Sequence, residues 1–198
     1  LSSININNKQ IFGKLIIATD GANSYTRKLL NLRAKTKSFN QHAVITTIAL
    51  KRPHTDTAYE RFTPDGPIGL IPCIVNNNKT QMSLVWATNE NKALELANTN
   101  KKDFLEQLQI NFGYKCGKFI DCGKRTTYPL TQTIMPKQYK DNILFIGNAA
   151  HTLHPVAGQG FNLSLTEIMQ LTDIIKNNNL ENSQEIIKKF IEITTKNQ

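Results

Sequence analysis

The alternation of apolar and polar residues at the start of the chain predicts a β-hairpin that leads into a buried strand. Residues 2–6 alternate and are followed by an Asn-Asn-Lys turn. A second strand is predicted over residues 11–18, which end in four consecutive apolar residues. Asp20 and Gly21 then form a loop, and a short helix is predicted at about residues 24–30.

The middle of the chain has the pattern of an antiparallel sheet, because short apolar runs are separated by Pro, Gly and Asn turns. The four strands predicted there are residues 42–50, 57–62, 68–75 and 81–88. The period changes over residues 101–112, where Phe104, Leu105, Leu108 and Phe112 share one face of a predicted helix. Two short extended pieces are predicted at 119–120 and 126–130.

The last part of the chain returns to a strand followed by helices. Residues 143–146 form a compact apolar strand. The next helix starts near Gly160 and carries one apolar stripe: Phe161, Leu165, Ile168, Leu171 and Ile175. Ser183 is the predicted N-cap of a final helix whose inward face is Ile187, Phe190, Ile191 and Thr194. This order predicts an α/β fold with an inserted antiparallel sheet, an α+β arrangement of two interleaved domains.

Charge and cysteine content narrow the function classes. The formal net charge is +9, but residues 1–55 carry nine Lys and Arg against one acidic residue, and the rest is nearly balanced. No aromatic residue lies between residues 27 and 37, where the basic residues cluster, so the sequence favours a local anion site or a solvated face over nucleic-acid binding. Three cysteines without a close pair indicate reduced thiols in the cytoplasm, and the histidines show no zinc spacing.

The richest motif follows the strand at 143–146. Gly147 allows close backbone approach, and the Asn148 amide can bond a hydroxyl. Pro155 stiffens the loop, while Gly158 and Gly160 permit tight contact. The helix that begins near Gly160 points its free N–H groups at the same place, so the motif suits an anion or a ring on which negative charge develops.

A second motif, residues 14–27, also places polar groups after a strand. Asp20 and Gly21 follow it directly, and Arg27 lies in the short helix beyond. Taken alone, an Asp-Gly pair after a strand is equally typical of a simple turn.

Together these motifs resemble the class A flavoprotein aromatic hydroxylases. Residues 15–27 are similar to the family's ATDGxxSxxR segment, and residues 147–162 to its GDAAHxxxPxxGQGxN segment. Residues 60–72 and 83–86 resemble the ubiquinone-biosynthesis branch, which includes the 2-polyprenyl-6-methoxyphenol hydroxylases. Asn148 stands where most of the wider family has Asp, and an amide can still bond a ribityl hydroxyl.

The resemblance implies a partial FAD/NAD(P)-binding Rossmann-like domain at residues 1–35 and 131–198, and a sheet-rich substrate domain at 36–130. The implied enzyme is an FAD-dependent monooxygenase with NAD(P)H as electron donor. It would hydroxylate a lipophilic phenol, a polyprenylated ubiquinone precursor, through a flavin C4a-hydroperoxide. A flavoprotein that does not hydroxylate, such as a prenyl reductase or a degenerate FAD-binding module, is the alternative.

The resemblance also implies a set of site residues. Those expected against FAD are Asp20, Gly21, Arg27, Gly147, Asn148, Pro155, Ala157, Gly158, Gln159, Gly160, Phe161 and Asn162. Those expected near the substrate are Arg61, Phe62, Pro72 and Trp86, with core packing as the alternative for Phe62 and Trp86. The sequence identifies no side chain as a catalytic acid or base, and it identifies no metal ligands. His151 is expected to pack or to bond a backbone carbonyl, with a catalytic role as the alternative.

One element of the family is missing from these residues, since no G-x-G-x-x-G follows a strand anywhere in the sequence. We therefore expect the chain to be a piece of a longer enzyme and, taken alone, to bind FAD weakly or not at all. A cytoplasmic location is expected, with peripheral association with the inner membrane or a biosynthetic complex left open, as is the oligomeric state.

Overall fold

A computed structural model describes residues 2–75, 78–154, 158–179 and 181–196. It divides into two compact units, one formed by residues 1–37 and 131–198 and the other by residues 38–130. In chain order the elements are β1 (Ser2–Ile6), β2 (Lys9–Gly13), β3 (Ile16–Ala18), α1 (Tyr25–Leu29), β4 (Lys35–Leu50), β5 (Tyr59–Thr63), β6 (Gly66–Val75), β7 (Asn78–Thr88), α2 (Glu90–Asn98), α3 (Lys101–Phe112), β8 (Phe119–Cys122), β9 (Thr126–Ile134), β10 (Tyr139–Lys140), β11 (Ile143–Phe145), β12 (His151–Thr152), α4 (Gln159–Lys176) and α5 (Ser183–Lys196).

The first unit contains a β1–β2 hairpin and a three-stranded sheet in the order β10-β11-β3. The central pair is parallel, so β3 and β11 end at the same edge of the sheet. The single strand predicted over residues 11–18 is wrong, because the chain bends between β2 and β3. The Asn142 amide donates to the carbonyls of Gly13 and Lys14 there, and the Ile16 N–H donates to the Asn142 carbonyl, which directs β3 into the other sheet.

Helices α4 and α5 pack on each other around Leu171, Ile174 and Phe190. The stripe predicted on α4 is only partly correct, since its N-terminal members Phe161, Leu165 and Ile168 are exposed. The buried face instead passes through Glu167, Leu171 and Ile174.

The predicted N-cap of α5 is also corrected by the structure. Ser183 is already helical, and the side chain of Asn182 accepts a hydrogen bond from the backbone N–H of Glu185. The Asn182 amide in turn donates to the Glu185 carboxylate, which gives a reciprocal capping pair.

The second unit contains an antiparallel sheet in which β4 pairs with β7, β7 with β6 and β6 with β5, and β8 also pairs with β4. The predicted antiparallel sheet is confirmed, although β4 begins earlier than predicted. Helix α3 has the predicted bounds, and its buried residues Phe104, Leu108 and Phe112 join the core with α2. Helix α2 was not predicted, because only Ala93 and Leu96 of its nine residues are buried.

None of the helices described is both long enough and apolar enough to cross a membrane. All three cysteines are free. Within the same described residues, no group of three or more His, Cys, Asp or Glu side chains is placed to hold a metal ion.

Candidate FAD-binding site

A cavity of about 410 Å³ lies where the two parallel strands of the first unit end. The residues that line it come from the segment after β3, the segment after β11 and the N-terminal half of α4. They are Thr19, Gly21, Ile146, Gly147, Asn148, Gly160, Phe161, Ser164 and Ile168. The carboxyl edge of parallel strands is the usual place for ligands in α/β sheets, and the volume is that of a small-molecule site.

Two of the lining glycines have backbone conformations that side chains disfavour. Gly21 has a φ of 82° and Gly147 a φ of 57°. A Cβ atom at Gly147 would lie 3.4 Å from the Ser164 hydroxyl, which belongs to the facing helix. These glycines therefore let the backbone itself form the cavity wall.

Helix α4 begins at this wall without a side-chain cap. Its N-cap residue is Gly158, with a φ of 62°, and it makes no side-chain hydrogen bond to the N–H groups of the first turn. The first-turn N–H groups and the positive end of the helix dipole are thus available to an acceptor. Backbone donors beside the exposed Asn148 amide fit a ligand with hydroxyl and carbonyl oxygens and developing negative charge, as FAD has.

Behind the wall lies a buried carboxylate that the sequence motifs did not identify. Glu167 of α4 is 1% exposed, and its Oε2 accepts a hydrogen bond from the Gly147 N–H at 3.0 Å. Its Oε1 lies 2.8 Å from Nε2 of His151, which is 4% exposed. His151 was expected to pack or to bond a backbone carbonyl, with a catalytic role as the alternative. It is buried, and the hydrogen-bond partner of its ring is this carboxylate.

Asp20 and Arg27 flank the cavity residues along the chain, and neither is among the lining residues described. The Asp20 carboxylate accepts a hydrogen bond from the Thr26 N–H at 2.9 Å. Partial burial acts to raise the pKa of Asp20, but hydrogen bonds from Ser24 and Thr26 outweigh it, so the pKa is lowered. The guanidinium of Arg27, which is buried, donates to the carbonyls of Ala149 at 2.7 Å and Ala22 at 2.6 Å.

The remaining residues expected at FAD have different outcomes. Gly160 and Phe161 line the cavity, Gly158 precedes the helix, and Gln159 and Asn162 are exposed in its first turn. Pro155 and Ala157 lie outside the described residues.

The four residues expected near the substrate belong to the second unit and have unlike environments. The Arg61 guanidinium donates to the Phe112 carbonyl at the end of α3, at 2.7 Å. Phe62 is 71% exposed, and Pro72 is half-buried in β6. Trp86 is fully buried, with its ring centroid 6.4 Å from that of Phe104, so it occupies the core position that was its alternative to a substrate contact.

Comparison with known proteins agrees with the chemistry of the cavity. Residues 5–187 match the model of a family described as FAD binding domain. The chain belongs to the FAD binding domain family. That family region includes every described residue of the cavity, which places this cavity within the part of the chain that defines the family.

Two curated relatives are named for ubiquinone chemistry. The 3-demethoxyubiquinol 3-hydroxylase of Escherichia coli is 29% identical over 167 residues, which cover 84% of this chain and 41% of that protein. Ubiquinone hydroxylase UbiL of Rhodospirillum rubrum is 30% identical over 160 residues, which cover 81% of this chain and 36% of that protein. The chain therefore spans about two fifths of the length of these relatives.

A solved structure supports the fold. PqsL of Pseudomonas aeruginosa, described as a probable FAD-dependent monooxygenase, is 18% identical with a TM-score of 0.71. The similarity covers 98% of this chain and 59% of that one. At this identity the likeness establishes the fold alone.

Proposed function

We propose that this chain supplies part of the FAD site of a monooxygenase that hydroxylates the phenol ring of a polyprenylated ubiquinone precursor, with NAD(P)H as electron donor. The observation that carries the proposal is the cavity at the shared edge of β3 and β11, formed by glycine backbone, Asn148 and the uncapped start of α4. Family membership and the names of the two bacterial relatives favour this chemistry over other flavin reactions.

Three cavity residues and the first turn of α4 have proposed tasks. The Asn148 amide would bond a ribityl hydroxyl, and Gly147 and Gly160 would let the backbone approach the cofactor closely. The first turn of α4 would stabilise negative charge on the ring that it faces. FAD, when bound, supplies the reduced flavin whose reaction with O2 delivers an oxygen atom to an electron-rich phenol. Asp20 and Arg27 would act indirectly, by fixing the loop after β3 and the turn after β11.

The test uses the protein encoded by the complete gene, with Asn148→Leu and Asn148→Asp as a matched pair. Because Asn148 is exposed, neither change disturbs a packed core. We expect Asn148→Leu to weaken FAD binding about tenfold, the value of one hydrogen bond to the ligand, and Asn148→Asp to retain it. Flavin fluorescence titration measures the affinity. Mass spectrometry of a prenylated phenol incubated with NADPH and O2 detects the product.

Two results would contradict the proposal. A protein that takes up no FAD is not a flavin enzyme. A protein that holds FAD and oxidises NADPH, yet never forms a hydroxylated product across prenylated phenols, is a non-hydroxylating flavoprotein such as a prenyl reductase.

We further expect the 198-residue chain by itself to bind FAD weakly, because it contains no G-x-G-x-x-G to hold the pyrophosphate. Desalting the purified chain after incubation with FAD measures this directly. Recovery of yellow protein with one FAD per chain would contradict the expectation.

The proposed substrate also suggests where the enzyme works. A polyprenyl tail partitions into lipid, so we propose a cytoplasmic enzyme that meets its substrate at the membrane surface. Co-sedimentation of the protein with lipid vesicles that contain the prenylated phenol tests this. Equal recovery in the supernatant with and without vesicles would count against it.

A further inference from the structure

Glu167 connects two walls of the cavity from behind. Gly147 and Asn148 form one wall, and Gly160 to Ile168 of α4 contribute the other. The Glu167 carboxylate belongs to α4, yet both of its oxygens meet the segment that follows β11, at the Gly147 N–H and at His151 Nε2. One side chain thus bonds two points that are four residues apart in that segment.

Packing alone does not account for the placement of this carboxylate. Glu167 precedes Leu171 by one helical turn and Ile174 by two, so it occupies an apolar face of α4. Burying a carboxylate is unfavourable unless it is well bonded, and a protein with an apolar residue of similar volume there is often as stable. A polar side chain at this position therefore points to a geometric task that an apolar side chain cannot perform.

The contacts identify the task. A carboxylate accepts two hydrogen bonds in fixed directions, so it holds the Gly147 amide and the His151 ring at defined distances from α4. Gly147 has a φ of 57°, a conformation that its neighbours must maintain. The bond from the Gly147 N–H to Glu167 therefore ties the backbone that carries Asn148 to α4.

We propose that Glu167 is a positioning residue for the cofactor site, which clamps the turn at Gly147 to α4 with His151 as its second anchor. This inference rests on the proposed function for the identity of the ligand, FAD. The clamp itself is a property of the protein without ligand.

The experiment compares Glu167→Gln, which keeps an acceptor for the Gly147 N–H, with Glu167→Leu, which keeps the volume and removes the acceptor. Glu192→Gln, at an exposed carboxylate of α5, is the control for loss of charge. Hydrogen exchange of the Gly147 amide is measured in the ligand-free protein, and FAD affinity by fluorescence titration of the complete protein.

In Glu167→Leu we expect the Gly147 amide hydrogen to exchange at least tenfold faster than in wild type. We also expect this variant to bind FAD at least tenfold more weakly. Glu167→Gln should stay within about threefold of wild type in both measurements, and Glu192→Gln should match wild type. If Glu167→Leu does not fold, Glu167→Asp replaces it, because its carboxylate is one methylene too short to reach both anchors.

Unchanged Gly147 exchange and FAD affinity in Glu167→Leu, or in Glu167→Asp where it is used, would overturn the clamp. Equal losses in Glu167→Gln and Glu167→Leu would also overturn it, because buried charge rather than hydrogen-bond geometry would then be decisive. A wild-type protein that binds no FAD would overturn the proposed function, while the exchange rates would still decide whether the clamp exists.

Discussion

Replacing Arg27 by Met should destabilise the first unit, because Arg27 bonds the loop after β3 to the turn after β11. Its guanidinium donates to the Ala149 and Ala22 carbonyls at 2.7 and 2.6 Å, and Ala149 is fully buried. Met keeps most of the apolar stem and removes both donors.

The magnitude follows from what each carbonyl does after the change. The Ala149 carbonyl loses a hydrogen bond to a charged group and has no water to replace it, which costs about 1.5–3 kcal/mol. Ala22 is exposed, so its carbonyl can bond water and adds little. A loss of about 1.5–3 kcal/mol corresponds to a fall in Tm of roughly 3–12 °C for a chain of this size.

Thermal unfolding followed by far-UV circular dichroism measures the effect, since α4 and α5 belong to this unit. Lys28→Met, at the exposed neighbour in α1, is the matched control and should change the Tm by no more than about 1 °C. Arg27→Lys replaces the guanidinium, with its several donors, by a single ammonium group, so its Tm should lie between those of Arg27→Met and wild type. A Tm of Arg27→Met equal to that of wild type would refute this structural role of Arg27. If FAD affinity then falls, Arg27 contacts the cofactor directly.

Three further predictions follow from single contacts. Asn182→Ala should cost about 1 kcal/mol of stability in urea unfolding and Ser183→Ala almost none, and the reverse order would restore Ser183 as the cap. The pKa of Asp20 is lowered in the folded state, so the ionised carboxylate stabilises the fold above the unfolded-state pKa, and this stabilisation is lost as the pH falls through the folded-state pKa. Asp20→Asn should therefore make the Tm depend less on pH on the acid side. A Tm–pH curve parallel to that of wild type would contradict this. Burial raises the pKa of the Cys116 thiol to about 11, which leaves about one thiol in a thousand ionised near pH 8. Peptide mapping after treatment with iodoacetamide should therefore find slow labelling of Cys116 in the folded protein and fast labelling in urea. Equal labelling rates would argue against burial of this thiol.

Regular periodicity made much of the fold predictable. The helix at 101–112 was correct at both ends because its apolar residues recur at the helical period and Gly113 follows it. Helix α2 gave little such signal, although the Asn89 side chain that caps it is visible in the sequence. The bend between β2 and β3 could not be predicted, since it depends on Asn142, more than a hundred residues away.

Some residues of the candidate site could be identified from the sequence, and others could not. Gly21, Gly147 and Asn148 were identifiable because they come just after predicted strands, where the edge of a parallel sheet meets its ligand. Glu167 was not, because a charged residue on a helix normally indicates the solvent face. Its partners lie 16 and 20 residues away, and only the folded chain brings them within bonding distance. The sequence did contain one indication of its burial. Glu167 lies one helical turn before Leu171 and two turns before Ile174, and both of these residues belong to the apolar face of α4.

The burial of Trp86 has a practical consequence for experiments on this protein. It is the sole tryptophan in the sequence, and it lies in the core of the second unit. Its indole N–H has no hydrogen-bond partner among the described residues. Intrinsic fluorescence excited at the indole band therefore reports the state of residues 38–130, with blue-shifted emission that moves to the red when that core opens. The first unit contains no tryptophan and does not contribute to this signal. Comparing the fluorescence transition with that of a backbone probe therefore shows whether the two units unfold in one transition or in two.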